Sequence, residues 1–341
     1  MQEEKLKNLK KEYKMSLSND LLELYGIKVL NITNLTGGWI NDKYLVTDMD
    51  GKKYVLKELS SKKFPSEHFS VLCETVYLQK DLYDNNLLVP NVVRNSKNKL
   101  ITFFSNKKYY FLQDYIQGNS KKFNKLSITE INNIAFNLAL LHKYLKIIPI
   151  KKFTSKFLIF KDIDILQKEF DDRIKQIVSD TNDSYKKELE LHNMIINDIE
   201  KSNILNEVEL QLIHGDFTPD NIILNKNGVQ AFIDFELCRI NTKLQDIGRI
   251  ILSTCLENAA LNKEKLISFI QGYSKIYNLD SKTISLAIKF VWINEVNIWI
   301  QERYFKNYNP PKVEKFISEI QWISNNWFKL EDIIRDVIFY E

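Results

Sequence analysis

The spacing of apolar residues changes several times along the chain. Leu6, Leu9, Leu21, Leu22 and Leu24 predict a leading helix over 1–25, with lysines at 5, 7, 10, 11 and 14 on a basic face. We read it as a solvated helix or frayed end. Short alternating runs follow at Val29–Leu35, Lys43–Thr47 and Tyr54–Leu59, the last two joined by the turn Asp48-Met49-Asp50-Gly51. Ser66–Asp84 is helical, Pro90 closes that region, and Asn91–Asn95, Leu100–Phe104 and Tyr109–Gln113 return to strand. The sum is an antiparallel sheet of five or six strands with one main helix.

From Ile128 the period becomes helical, with Ile131, Ile134, Ala135, Leu138, Leu141 and His142 on one side and Ser127 or Thr129 as caps. We read His142 as a satisfied core histidine. Leu166–Val178 and Tyr185–Leu205 are charge-rich helices joined by Asp180–Ser184. Strand character reappears only between Leu212 and Glu236. Beyond it, helices are predicted over Arg249–Ala260, Lys263–Tyr277, Ser281–Phe305 and Pro311–Phe339. The fold class is therefore α+β, in two parts: 1–115, then 116–341 with a helical insertion at 150–210.

Composition narrows this modestly. A chain 44% hydrophobic can build a sizeable core, and 9 glycines and 6 prolines exclude fibrous or linker-rich classes. A net charge of +4 is too balanced for a nucleic-acid binder. Cys73, Cys238 and Cys255 show no metal or redox spacing, as expected of reduced thiols in a cytoplasmic protein. No signal sequence and no membrane span are expected.

The strand-like island carries the chemistry. Leu212-Ile213 runs into His214-Gly215-Asp216, Asn221 precedes a strand, Asn225–Gly228 makes a turn, and the next strand ends at Ile233-Asp234-Phe235-Glu236. Asp216, Asn221 and Asp234 then sit at loop edges of one supersecondary unit. One base and two oxygen ligands are what Mg²⁺-assisted phosphoryl transfer requires. The alternative, Asx-turn capping, would account for any one of the three. Upstream, Lys57 shares a strand face with Val55 and Leu59 and needs a partner there. Glu74, on the inward face of the next helix, is the expected one, with Glu58 and Glu67 as competitors. Thr36–Asp42, containing Gly37 and Gly38, can cradle an anion with its backbone or serve as a plain hairpin.

His-Gly-Asp-x-x-x-x-Asn followed by Ile-Asp-Phe-Glu resembles the catalytic and metal loops of the aminoglycoside phosphotransferase/choline kinase superfamily, which has the protein-kinase fold. The resemblance implies a two-lobed fold and ATP, or alternatively GTP, as donor. It implies Lys57 on the phosphates, held by Glu74, and Gly37 and Gly38 covering them. Asp114 and Ile116 become hinge contacts to the base, Asn221 and Asp234 Mg²⁺ ligands, Asp216 the catalytic acid–base, and Asp246 of Asp246-Ile247-Gly248 a structural acid. Asp234-Phe235-Glu236 is similar to choline kinases, in which the glutamate lies near the metal, so Glu236 joins the candidate substrate residues. Its replacement of the protein-kinase glycine, with no Ala-Pro-Glu sequence after it, argues for a small-molecule kinase. The layout, including Leu24-Tyr25-Gly26, also resembles bacterial spore-coat kinase-like proteins. The alternative is thus a scaffold whose role is binding in a spore coat.

Trp292, Glu295, Trp299 and Glu302 fall near one helical stripe. Such a stripe either holds a cationic acceptor, with Glu295 and Trp299 as contacts, or belongs to the core. The expected partner is a small hydroxyl acceptor, not nucleic acid or membrane, and the protein is expected as monomer or dimer.

Overall fold

A computed structural model describes residues 2–35, 42–59, 66–150, 161–178, 181–206 and 208–339. The chain divides into two compact units. Among the described residues the first comprises 2–119 with Gln230–Glu236, and the second comprises 120–229 and 237–339. The Asp-Phe-Glu segment thus groups with the first unit although it lies far along the chain.

The first unit is a sheet with a helix on each face. Helix α1 (Gln2–Tyr25) leads into β1 (Val29–Leu35), β2 (Lys43–Asp48) and β3 (Lys53–Leu59), then α2 (Ser66–Asp84), β4 (Val92–Val93), β5 (Ile101–Phe103) and β6 (Tyr109–Asp114). The hydrogen-bonded order is β1-β2-β3-β6-β4, with β5 also pairing β6, and the recorded pairings are antiparallel. Period-2 alternation sorts β3 between two cores. Tyr54 and Leu56 join Leu17 and Leu21 of α1, with Tyr44, Val46, Tyr110 and Leu112. Leu59 faces the other way, with Leu72 and Val76 of α2 and with Phe111.

The second half of α1 is therefore not the solvated or frayed end its lysines suggested. Tyr13 hydroxyl meets Tyr110 hydroxyl at 2.7 Å, and Asp20 accepts from the Ser105 hydroxyl at 2.7 Å. Leu17 and Leu21 are fully buried. Each such leucine contributes about 1.5–3 kcal/mol on burial, enough to dock a helix that leaves Glu12, Asn19 and Glu23 exposed.

The second unit is mainly helical. Helix α3 (Ile128–Ile147) opens with a reciprocal capping box between Ser127 and Glu130. It is followed by α4 (Ile163–Ile174), α5 (Asp183–Ser202), β7 (Gln211–Ile213) and β8 (Ile222–Asn225), after which β9 (Gly228–Phe232) carries the chain into the first unit. On its return come β10 (Arg239–Asn241), paired antiparallel with β7, and α6 (Leu244–Cys255), buried along its whole length. The hairpin β11 (Leu256–Glu257) and β12 (Ala260–Leu261) precedes α7 (Lys263–Tyr273), α8 (Ser281–Trp299), α9 (Glu302–Lys306), α10 (Pro311–Asn326) and α11 (Leu330–Phe339). Gly248 lets α6 approach α8, since a Cβ there would lie 2.1 Å from the Ala287 carbonyl oxygen.

The predicted helices after residue 249 are too long. The hairpin ends α6 early, turning on Asn258 and Ala259 at φ 50° and 59°. The segment 281–305 breaks at Ile300-Gln301, and a 3₁₀ turn at Trp327–Lys329 interrupts 311–339. Among the described residues no helix is long and apolar enough to cross a membrane.

Candidate active site

In the first unit four charged side chains meet. Lys57 projects from β3 onto the α2 face, as its alternation with Leu59 requires, and its ammonium lies 5.7 Å from the Phe111 ring centre. Its Nζ donates to Asp234 Oδ1 at 3.1 Å and to Glu236 Oε1 at 3.2 Å. Lys43 of β2 donates to the other oxygen of Asp234, Oδ2, at 2.6 Å. Asp234 sits in the left-handed region at φ 72°, which aspartate tolerates better than most residues. The segment bearing it is anchored where the Phe232 amide donates to the Leu88 carbonyl at 2.7 Å.

Two carboxylates and two ammoniums balance in this buried setting, and burial of such charges is tolerable only when they are paired. Burial works against the Asp234 charge, but Lys57 and Lys43 outweigh it and hold the carboxyl far below the usual range. Burial also opposes the Lys57 charge, yet Asp234 and Glu236 leave its pKa above the ordinary value. Glu236 moves the opposite way to Asp234. Burial, reinforced by the neighbouring Asp234 charge, raises it against the pull of Lys57.

This corrects two expectations. Lys57 is met by Asp234 and Glu236, where the helix pattern pointed to Glu74, which lies half-buried on α2. A helical face gives the direction of a carboxylate but not its reach, and the Asp-Phe-Glu turn reaches Nζ. Glu236, expected toward substrate, is buried against Lys57. The competitor Glu58 points to the opposite sheet face and takes Lys108 at 2.7 Å. Lys43 went unnoticed, because a lysine at the first position of a short strand reads as an edge residue. Gly37, Gly38 and the Glu67 side chain lie outside the described residues. Of the hinge candidates, Asp114 donates its amide to the Asn91 carbonyl at 2.9 Å and accepts from Asn91 Nδ2 at 3.0 Å; Ile116 follows just after β6.

In the second unit a loop leads from β7 through a 3₁₀ turn at Pro219–Asn221. The Asn221 amide nitrogen donates to both the carbonyl oxygen and Oδ2 of Asp216, each at 2.8 Å. Both donors spent, the amide has its carbonyl oxygen left to offer, a hard ligand suited to Mg²⁺. Among the described residues no group of three or more His, Cys, Asp or Glu converges as a dedicated metal cage. Mg²⁺ ordinarily uses one or two protein oxygens plus water and phosphate, so Asn221 and Asp234 each fit as a ligand.

Asp246 at the start of α6 fixes the loop. Its Oδ2 accepts the His214 amide at 2.8 Å and its Oδ1 accepts the Gly215 amide at 2.9 Å. His142 Nε2 lies 3.2 Å from the same carboxylate, while its Nδ1 meets the Tyr273 hydroxyl at 2.8 Å. Burial opposes the Asp246 charge, but His142 and the loop amides bring its pKa below the ordinary value. Burial likewise lowers His142, keeping it neutral. His142 is the satisfied core histidine its helix face suggested, and Asp246 is a structural acid. Gly215 has φ 81°, and a Cβ there would sit 2.1 Å from the Leu237 carbonyl oxygen, so no side chain fits. Arg239 of β10, paired opposite Ile213, places its guanidinium carbon 3.5 Å from that Cβ position.

Of the aromatic stripe, Trp292 belongs to the core, while Glu295 and Trp299 are half-buried. Trp292 is fully buried and donates to the Ser324 hydroxyl at 2.8 Å. Glu295, expected to meet a cationic acceptor, accepts from Arg249 at 2.9 Å and from Trp299 Nε1 at 2.9 Å. Trp299 itself stacks on Phe316 with ring centres 4.7 Å apart. Arg249 also binds Glu319, so a buried guanidinium claims the carboxylate first.

The fold recurs in solved structures. An amicoumacin kinase in complex with AMP-PNP, Ca²⁺ and Ami aligns over 98% of each chain with a TM-score of 0.65 and 16% identity. A spectinomycin phosphotransferase with ADP and spectinomycin covers 95% of this chain and 98% of its own, at TM-score 0.61 and 14% identity. A microcompartment-associated aminopropanol kinase covers 94% and 99%, at TM-score 0.62 and 13% identity. No curated protein sequence matches the chain. The family model for the phosphotransferase enzyme family matches residues 31–279, a span holding Lys57, Asp216, Asn221 and Asp234. Over most of its length, then, the chain belongs to the phosphotransferase enzyme family.

Proposed function

We propose that the protein transfers the γ-phosphoryl group of a nucleoside triphosphate to a hydroxyl of a small molecule. The observation that carries this reading is Asp216 itself: a carboxylate held by the Asn221 amide on a loop whose backbone is pinned by Asp246. In this reading Asp216 accepts the proton of the acceptor hydroxyl as its oxygen bonds to the γ-phosphorus. The bond to the β-bridging oxygen breaks, leaving a nucleoside diphosphate and a phosphate ester. Lys57 binds the nucleotide phosphates, and Asn221 and Asp234 are each a candidate ligand for a divalent metal. That metal, when bound, offsets charge on the phosphates. Asp114 and Ile116 offer backbone groups to the base.

The family assignment supports phosphoryl transfer, and the acceptor chemistry of the similar structures supports an amino-alcohol or amino-sugar hydroxyl. Mg²⁺ and ATP are the natural metal and donor to try first. The test is ADP release and acceptor phosphorylation with Mg-ATP across aminoglycosides, spectinomycin, aminopropanol, choline and homoserine. At least one acceptor should be turned over, and Asp216→Asn should reduce turnover by about 10³-fold or more while folding normally. Absence of turnover across the panel, together with no effect of nucleotide on melting temperature, would remove the proposal.

A further inference from the structure

We infer that Lys43 is a second phosphate-binding lysine, parked on Asp234 and released to the nucleotide when a divalent cation takes that carboxylate. The inference rests on the phosphotransferase reading above. Lys43 and Lys57 are direct cross-strand partners in the antiparallel β2–β3 pair. Two like charges directly opposite one another destabilise a sheet. Here both side chains are largely buried, with 12% and 4% of their surface exposed. Sheet stability alone would disfavour this arrangement, so something else must use the second charge.

Asp234 is what they share. Lys43 binds one of its oxygens and Lys57 the other. Lys57 has Glu236 as a further counter-charge at 3.2 Å. Among the described residues the direct ion pair of Lys43 is with Asp234, and Glu236 acts on it only through space. Two lysines, Asp234 and Glu236 sum to zero charge. Adding a divalent cation at Asp234 takes the sum to +2 and leaves Lys43 without its carboxylate. A buried uncompensated ammonium is costly, and the polyphosphate of a nucleotide is the anion that relieves it. Lys57 can stay on Glu236 throughout. Metal and Lys43 therefore compete for Asp234 when nucleotide is absent and cooperate when it is present.

The test uses the full chain with Lys43→Met and, as a charge-retaining control, Lys43→Arg. Mn²⁺ affinity without nucleotide is read by EPR titration, and AMP-PNP affinity with Mg²⁺ by calorimetry. Lys43→Met should bind Mn²⁺ about tenfold more tightly and AMP-PNP about tenfold more weakly, the scale of one charged hydrogen bond. Lys43→Arg should keep wild-type nucleotide affinity. A merely structural lysine moves neither value, or weakens both by loosening the fold; either pattern in Lys43→Met overturns the inference. If the wild type itself binds no nucleotide, the phosphotransferase reading fails first. If it does bind and Lys43→Met matches it, only the role of Lys43 fails.

Discussion

Asp234 in the first unit and Asp246 in the second are both charged against the cost of burial, and both titrate below the ordinary aspartate range. They are held by opposite means. Asp234 is surrounded by the ends of two long lysine side chains. Asp246 is surrounded by the backbone amides of His214 and Gly215 and by a fully buried imidazole. Lysine ends can move and be exchanged for another cation, whereas backbone amides cannot leave without unfolding the loop. The contrast separates a carboxylate arranged to change partners from one arranged to stay.

The comparison breaks most visibly at Asp246. Asp246→Asn would turn an amide nitrogen toward amides that need an acceptor, and should cost about 3 kcal/mol of stability. Asp234→Asn keeps an oxygen for one lysine and leaves Glu236 to the other, so its loss should be about 1 kcal/mol. Chemical denaturation of the two variants side by side checks the ranking, and equal losses would erase the distinction.

A half-buried carboxylate sharpens it. Glu295 is bound by Arg249, which also keeps Glu319. Glu295→Gln should therefore lower stability by about 1–2 kcal/mol and leave the KM for acceptor unchanged within about twofold. A rise of tenfold in acceptor KM with unaltered stability would return Glu295 to the substrate site.

A further effect concerns pH. Burial lowers both His142 and His192 from the free value of 6.5, so the unfolded chain takes up protons first on acidification. Their contribution is intact above that value and is lost as pH falls from it toward the folded pKa, by up to about 1.4 kcal/mol per pH unit for each histidine. Denaturation between pH 7 and pH 5 should show this decline, and His142→Gln should make it shallower, leaving the part due to His192.

What could be read from the chain depended on how local each signal was. The spacing of Asp216, Asn221 and Asp234 is a property of one short segment, and so was visible at once. The strand faces followed from alternation, and Lys57 points where Leu59 does. Pairing across the fold was not legible. Lys43 and Asp234 are 191 residues apart, and no periodicity selects Asp234 over Glu74. The helix ends failed for a related reason. The turn at Asn258-Ala259 has its asparagine but an alanine where a glycine would signal a hairpin, and the break at Ile300-Gln301 carries neither glycine nor proline, so the turn signal is incomplete at the first and missing at the second.

The most direct test of the account is whether a divalent metal and Asp234 act together on the nucleotide. Calorimetric titration of AMP-PNP into the wild type should show at least tenfold tighter binding with Mg²⁺ than with EDTA, and in Asp234→Asn that gain should vanish. Binding equally tight without metal, or a full Mg²⁺ gain in Asp234→Asn, would contradict it.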